Sequence, residues 1–580
     1  MSLGLLAIFV LAKVALVWGH SAGGRGWSLE AFFWQDVLVA LAFALFQWCL
    51  NRTGASPRIA TVSYWALVLY AAASIPAERT LSTPMTWPML RAARGPLADS
   101  VLTYATATNI GLVALALALA IFIPRITRQL PTKWGYLAAA GALPIVLLGP
   151  FAANRVDTLG MDRNAVTALA STSLPGVSAN ARDRDWRTSI YNTSSVEDLS
   201  RFSGKAKGMN VVMVSLESTA AQYLSLYGGK YEVMPNLNAL AQRALVFDNA
   251  YAVYPESIKG LYSVLCSTFP AFDSQPEQYE NLGSPSLPTL LQDAGYQTAL
   301  FHSGRFDYLG MQSIIQHRGY QTLEDAGDIG GNHQSSFGVD EPATVTRMLA
   351  WIDALPRDRK FFLTYLPIAG HHPYATPNGG PFSGPEEIYQ YRNALHYGDE
   401  SIGDLMKGLR ARGLEQNTLW VIYGDHGEAF RQHPGNVGHT FFIYEENVHV
   451  PLLIASPRLM PTQERVHKVV SLVDASPTIL DLMGLPAQPK FQGRTLLDRS
   501  PRMALFFTDY SLGLLGLRDG PWKFVYETAS GRAKLFNLTQ DPHEIADVAP
   551  SNAARVRWYE GIVRGWSRSQ QSYIAHASRP

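Results

Sequence analysis

The chain has 580 residues, a formal net charge of +1 and 47% hydrophobic residues. That length exceeds one ordinary domain, and the near-zero charge argues against a protein built around nucleic-acid binding. The average conceals a division: residues 1–154 contain long apolar runs, whereas the rest has the mixed composition of a globular domain.

Five runs approach the roughly 20 apolar residues that a helix needs to cross a bilayer: about 1–19, 31–50, 59–77, 101–124 and 134–152. The fourth has no charge from Val101 through Pro124. The first carries Lys13 and the second Asp36, charges that are costly inside a bilayer unless they snorkel or line a polar path. A cleaved signal peptide is the alternative for 1–19, but its basic start is missing and further runs follow. Arg52 and Arg58 lie between runs two and three, and Arg125, Arg128 and Lys133 between four and five. Lys and Arg are retained in cytoplasmic loops, so this pattern predicts a cytoplasmic N-terminus and a C-terminal domain outside the membrane. Arg79, Arg91 and Arg94, accompanied by Glu78 and Asp99, count the other way.

Residues 155–208 are polar, rich in Ser, Arg, Asp and Asn, and read as a linker. From 209 to 580 the pattern changes. Short apolar runs, NVVMVSL (210–216), QTALFHS (297–303), KFFLTYLP (360–367), TLWVIYGD (418–425) and VPLLIASP (450–457), alternate with helical stretches such as MPNLNALAQRAL and RNALHYGDESIGDLMKGLRARG. This alternation predicts an α/β fold with a largely parallel central sheet. Cys266 is the only cysteine in this part, Cys49 lying in an apolar run, so the domain holds no internal disulfide and relies on its core.

In such sheets, ligands bind beyond the carboxyl ends of the strands. Glu217 ends the first run, His302 the second, and Asp425 with His426 the fourth. Asp-His-Gly at a strand end suits two side chains that diverge onto one metal ion, with oxygen and nitrogen donors fitting Zn²⁺ or Mn²⁺. Taken alone the tripeptide is a weak signal, because an arbitrary Asp-His pair is usually a cap or an ion pair. Ser257, in PESIKGLYSVLCS, stands ahead of an apolar helix. It reads either as an N-cap or as a nucleophile at a helix start, where open backbone N–H groups favour an anionic substrate. A serine nucleophile needs a base or a metal at neutral pH.

These residues resemble the alkaline phosphatase and sulfatase superfamily, across most of residues 209–545. VSLEST, SLYGG and MPNLNALA are similar to the opening of lipoteichoic acid synthases and phosphoethanolamine transferases, and HHPY (371–374), GDHGE (424–428), GHTFFIYEENVHVP (438–451) and LFNLTQDPHE (535–544) follow in the superfamily's order. The resemblance implies a helical transmembrane bundle over 1–154, a linker over 155–208 and a catalytic domain over 209–580, sulfatase-like from about residue 500. It implies one divalent metal, Mn²⁺ or Zn²⁺, on Glu217, Asp425, His426 and Ser257, with Ser257 also the nucleophile. His302, His371 and His439 become contacts to the substrate phosphate or leaving group. Lys259 and Arg305 either add positive charge or are solvated surface groups; for His449, packing is the default role.

The pattern departs from sulfatases proper, which need C/S-x-P-S-R at the nucleophile where this chain has Ser-Ile-Lys-Gly. The transferases usually carry Thr there, and the C-terminal stretch is sulfatase-like. The expected function is a metal-dependent phosphotransferase in the cytoplasmic membrane. It would move a phosphoglycerol or phosphoethanolamine headgroup from a membrane phospholipid to a glycan or lipid through phospho-Ser257, on the external face. A sulfatase or phosphodiesterase of the same superfamily is the alternative, and a non-catalytic binding protein the second.

Overall fold

The computed structural model describes residues 1–18, 27–92, 104–129, 131–173, 186–192, 197–335 and 338–577. It divides into two compact units, one formed by Met1–Gly176 with Arg431–Gly438 and Tyr510–Leu512, the other by the remainder.

The first unit is helical: α1 (Ser2–Val17), α2 (Ser28–Thr53), α3 (Pro57–Leu81), α4 (Ala107–Thr127), α5 (Thr132–Ala153) and α6 (Ala165–Ser173). Local chemistry sets the boundaries. Gly54 closes α2 in the left-handed region at φ 69°, Ser56 caps α3 ahead of Pro57, and the Thr106 side chain caps α4. Four of these helices, α2 to α5, are long and apolar enough to cross a membrane. At 16 residues, α1 reaches only about 24 Å, short of a roughly 30 Å hydrocarbon core. Residue 19 of the first apolar run, and 101–103 of the fourth, lie outside the described residues. On α4 and α5, Ile110, Leu115, Phe122, Leu137, Leu143 and Leu147 point outward, an apolar surface suited to lipid. Inside, Leu5, Ile8 and Phe9 of α1 pack with Tyr64, Val68 and Ala116.

Within the stretch read as a linker from 155, the apolar positions of AVTALA form α6.

The second unit holds an eight-stranded sheet of β1 (Asn210–Leu216), β2 (Ala244–Tyr251), β3 (Gln297–His302), β4 (Thr322–Glu324), β5 (Phe361–Leu366), β6 (Thr418–Gly424), β7 (His449–Ala455) and β8 (Glu464–Ser471), in the order β8-β2-β7-β6-β1-β5-β3-β4. Pairing is parallel except around β7, which runs antiparallel to both neighbours. Every residue of β1 is buried, as a strand covered on both faces requires. Its side chains alternate: Val211 and Met213 enter one core, Val212, Val214 and Leu216 the other. The first core receives α7 (Ser257–Cys266); the second receives α8 (Glu341–Ala354) and α9 (Glu387–Ala411). A four-stranded antiparallel sheet of β9 (Met503–Thr508), β10 (Leu514–Asp519), β11 (Trp522–Glu527) and β12 (Ala533–Asn537) follows, covered by α10 (Ala553–Ala577). Because β1, β3, β5 and β6 are mutually parallel, their carboxyl ends share one edge.

Candidate metal and nucleophile site

Register places the first two carboxylates. Leu216 of β1 pairs with Gly424 of β6, so the next residues, Glu217 and Asp425, emerge side by side. Ser218 then turns at φ 53°, and its N–H donates to Asp425 Oδ1 at 3.0 Å while its hydroxyl donates to Glu217 Oε1 at 2.9 Å. His426 follows, its own N–H on Asp425 Oδ1 at 2.7 Å. Gly427 is glycine for a steric reason: a Cβ there would stand 2.0 Å from the Glu446 carbonyl.

Ser257 is the first residue of α7, and its hydroxyl donates to Glu217 Oε2 at 2.9 Å and lies 3.3 Å from His426 Nε2. The cap of this helix is Glu256, whose carboxylate accepts from the N–H groups of Ile258 at 3.0 Å and Lys259 at 3.4 Å. This corrects the reading of Ser257 as the N-cap, and the amides of Ile258 and Lys259 are not open to an anion, because a buried carboxylate already occupies them. Lys259 is likewise committed, with Nζ 3.0 Å from Asp509 Oδ2 and buried. Arg305 stays partly exposed, 3.9 Å from Asp325.

The histidines share a device. His426 Nδ1 donates to the Gly427 carbonyl at 2.9 Å, His302 Nδ1 to Leu366 at 2.9 Å and His371 Nδ1 to His372 at 2.6 Å. A carbonyl only accepts, so the proton sits on Nδ1 and the lone pair on Nε2. In His439 the acceptor is Glu428 Oε2 at 2.7 Å. The rings cluster: His439 stacks on His426 with centroids 4.1 Å apart, and lies 6.4 Å from His371. Burial holds His302 and His371 below the ordinary imidazole range; an arriving anion would favour their protonated forms.

Charge at the centre is lopsided. Burial and the adjacent Glu217 push Asp425 up to about 7. Glu217 is held low, because the positive charge that His426, His371 and His439 carry when protonated, together with the Ser257 hydrogen bond, outweighs its burial. Two buried carboxylates, an imidazole Nε2 and a hydroxyl therefore converge, with the ligand atoms of Glu217, Asp425 and His426 all within 4.8 Å of one another. This donor set fits a divalent ion of the Zn²⁺ or Mn²⁺ type, and His426 has the anchored far nitrogen common in metal ligands.

Sequence reasoning missed Glu428, which also accepts from the Tyr374 hydroxyl at 2.8 Å, and Glu256. Both carboxylates adjoin named motifs, and a buried acid beside a candidate site is the signal that was available. His449 does have the structural role expected of it, hydrogen-bonded to the Asp248 carbonyl at 2.8 Å and stacked on Tyr251.

Residues 209–485 match the sulfatase family, and residues 439–557 the family described as N-sulphoglucosamine sulphohydrolase, C-terminal. Lipoteichoic acid synthase 2 of Bacillus subtilis is 25% identical over 327 residues, 52% of this chain and 49% of that protein. Arylsulfatase K of Canis lupus familiaris is 29% identical over 239 residues, 36% of this chain and 43% of that protein. The chain thus spans about half the length of the curated relatives it matches. Among solved structures, an alkaline phosphatase superfamily protein from Vibrio parahaemolyticus aligns with a TM-score of 0.54 at 18% identity, covering 66% of this chain and 90% of that one. The lipoteichoic acid synthase LtaP from Listeria monocytogenes aligns with a TM-score of 0.51 at 20% identity, covering 66% and 96%. At that identity the structural likeness speaks for the fold.

Proposed function

We propose, from the premise that this chain carries a sulfatase-family domain of the alkaline phosphatase superfamily, that it is a membrane-anchored phosphotransferase. In this reading it moves a phosphoglycerol or phosphoethanolamine headgroup from a phospholipid to a glycan or lipid acceptor. The observation that carries it is the Ser257 hydroxyl, 2.9 Å from Glu217 and 3.3 Å from His426 at the carboxyl edge of the sheet. Apolar helices support a membrane donor, since confinement to a bilayer raises its effective concentration.

Glu217, Asp425, His426 and Ser257 would hold one divalent ion, Mn²⁺ or Zn²⁺, which when bound lowers the pKa of the serine hydroxyl and neutralises charge on the phosphate. Ser257 Oγ, its proton already lost to solvent, attacks phosphorus as the alkoxide and is released as the alkoxide in the second step; the bond to the diacylglycerol oxygen breaks, and a protonated histidine among His302, His371 and His439 supplies the proton to that oxygen. An acceptor hydroxyl then displaces Ser257 in line, its proton returning to the histidine. The helices would place the N-terminus in the cytoplasm and the catalytic domain outside the membrane.

A sulfatase is the second reading, favoured by the C-terminal match to a sulphohydrolase family. The test is intact mass spectrometry of the purified protein after incubation with phosphatidylglycerol, phosphatidylethanolamine or an aryl sulfate, with peptide mapping around residue 257. A phosphoglycerol or phosphoethanolamine adduct on Ser257 is the expected result. Sulfate-ester turnover or a formylglycine mass at residue 257, with no lipid adduct, overturns it in favour of the sulfatase.

A further inference from the structure

The helical unit carries charges where apolar packing alone would exclude them. Lys13 near the end of α1, Asp36 in the first half of α2 and Glu78 near the end of α3 are each 4% exposed or less. Lys13 Nζ lies 3.6 Å from Asp36 Oδ2, and Glu78 is within electrostatic reach of both, so the three share one end of the bundle. With a rise of about 1.5 Å per residue they lie roughly 5 to 12 Å in from the helix ends. In a bilayer, that is about the depth at which headgroups give way to acyl chains.

The cluster is incomplete. Lys13 gives two of its three N–H donors to the carbonyls of Met161 at 2.8 Å and Arg163 at 2.7 Å, and pairs with Asp36 Oδ2 by charge at 3.6 Å, longer than a hydrogen bond. Asn164 donates to Asp36 Oδ1 at 2.7 Å. Among the described residues, Asp36 Oδ2 is left buried with no donor, and so is Ser74 Oγ, one turn before Glu78. One ammonium therefore faces two carboxylates. An uncompensated buried carboxylate is expensive, more so in hydrocarbon, and Asp36 Oδ2 and Ser74 Oγ are the atoms left short of a partner.

We propose that this cluster binds a protonated primary amine, presented by the headgroup of an aminophospholipid. A primary ammonium carries three N–H donors, which match Asp36 Oδ2, the Glu78 carboxylate and the Ser74 hydroxyl in number and charge. A quaternary ammonium has the charge without the donors, and a phosphoglycerol headgroup has neither. The proposal deepens the transferase reading and rests on it for what becomes of the lipid; the binding itself stands apart from Ser257 chemistry.

The test uses the full chain as Ser257→Ala, so that no lipid is consumed, in detergent with equal amounts of phosphatidylethanolamine, phosphatidylcholine and phosphatidylglycerol of matched acyl chains. Native mass spectrometry then counts retained lipids. Phosphatidylethanolamine should be retained about five- to tenfold over the other two. Adding Glu78→Gln or Asp36→Asn should bring that excess to parity, with phosphatidylglycerol retention unchanged; two variants cover the case in which one misfolds. Equal retention of all three lipids, or an excess that survives both substitutions, overturns the proposal. The two readings fail separately: absence of any Ser257 adduct in the wild type leaves the amine preference measurable, and loss of the preference leaves a phosphoglycerol adduct possible.

Discussion

The Glu428 carboxylate accepts from His439 Nδ1 at 2.7 Å, and the same imidazole stacks on His426 with ring centroids 4.1 Å apart. A carboxylate behind a histidine fixes its tautomer and stabilises the imidazolium, the job of the third member of a catalytic triad. Glu428→Gln keeps the volume but offers an amide that can donate to Nδ1 and force the proton to the other nitrogen. With the donor lipid of the proposed function as substrate, turnover should fall about 10- to 100-fold in kcat with KM little changed. Steady-state kinetics checks this, and an unchanged kcat removes Glu428 from the mechanism.

Metal content separates the proposed ligands from the proposed nucleophile. Glu217→Ala and Asp425→Ala should lose both bound divalent metal and activity, whereas Ser257→Ala should abolish turnover and retain most of the metal. Elemental analysis of the purified variants reads this directly. Full activity in either carboxylate variant rejects the site.

The buried Lys259–Asp509 pair at 3.0 Å fastens α7 to the end of β9. Removing one partner strands the other, so Lys259→Met should destabilise the domain by about 3–5 kcal/mol. Lys259→Met with Asp509→Asn, which removes both charges and keeps an acceptor for the Tyr254 hydroxyl, should recover part of that loss, a coupling that denaturant unfolding in a double-mutant cycle measures. Additive losses would show that the pair does not act as a unit.

Cys266 is buried, and burial raises its thiol from 9.0 to about 11. The unfolded chain loses this proton near pH 9 while the folded chain keeps it to about pH 11. The native state therefore binds more protons across that window, and the contribution to stability, complete below pH 9, declines as pH rises through it. The stability advantage of wild type over Cys266→Ala should shrink between pH 9 and 11, by at most roughly 2–3 kcal/mol. Native Cys266 should also resist thiol reagents at pH 8. Rapid labelling of the folded protein contradicts the burial.

Much of this molecule was legible before any coordinates. Strands such as β1, β5 and β6 match the apolar runs to within a residue, because a strand buried on both faces is apolar at every position and flanked by polar turns. The placement of Glu217, Asp425 and His426 at one edge was legible for a related reason: each stands within two residues of the end of a strand of a parallel sheet, and the sheet sets their side of the molecule. Length and hydropathy likewise marked the long helices.

Contacts between residues distant in sequence decided the rest. Glu256 was passed over because a glutamate before a helix looks like solvated surface until both of its oxygens are seen on the first-turn amides. Lys259 read as a possible anion contact until Asp509, 250 residues away, took its charge. Lys13 and Asp36 looked like separate liabilities in two apolar runs, and only helix packing brings them together over Glu78. Local patterning is written in hydrophobicity and backbone chemistry, which act over a few residues. The pairing of a buried charge depends on which segments the folded chain brings within a few ångströms, and the low interior dielectric makes that choice the dominant energy.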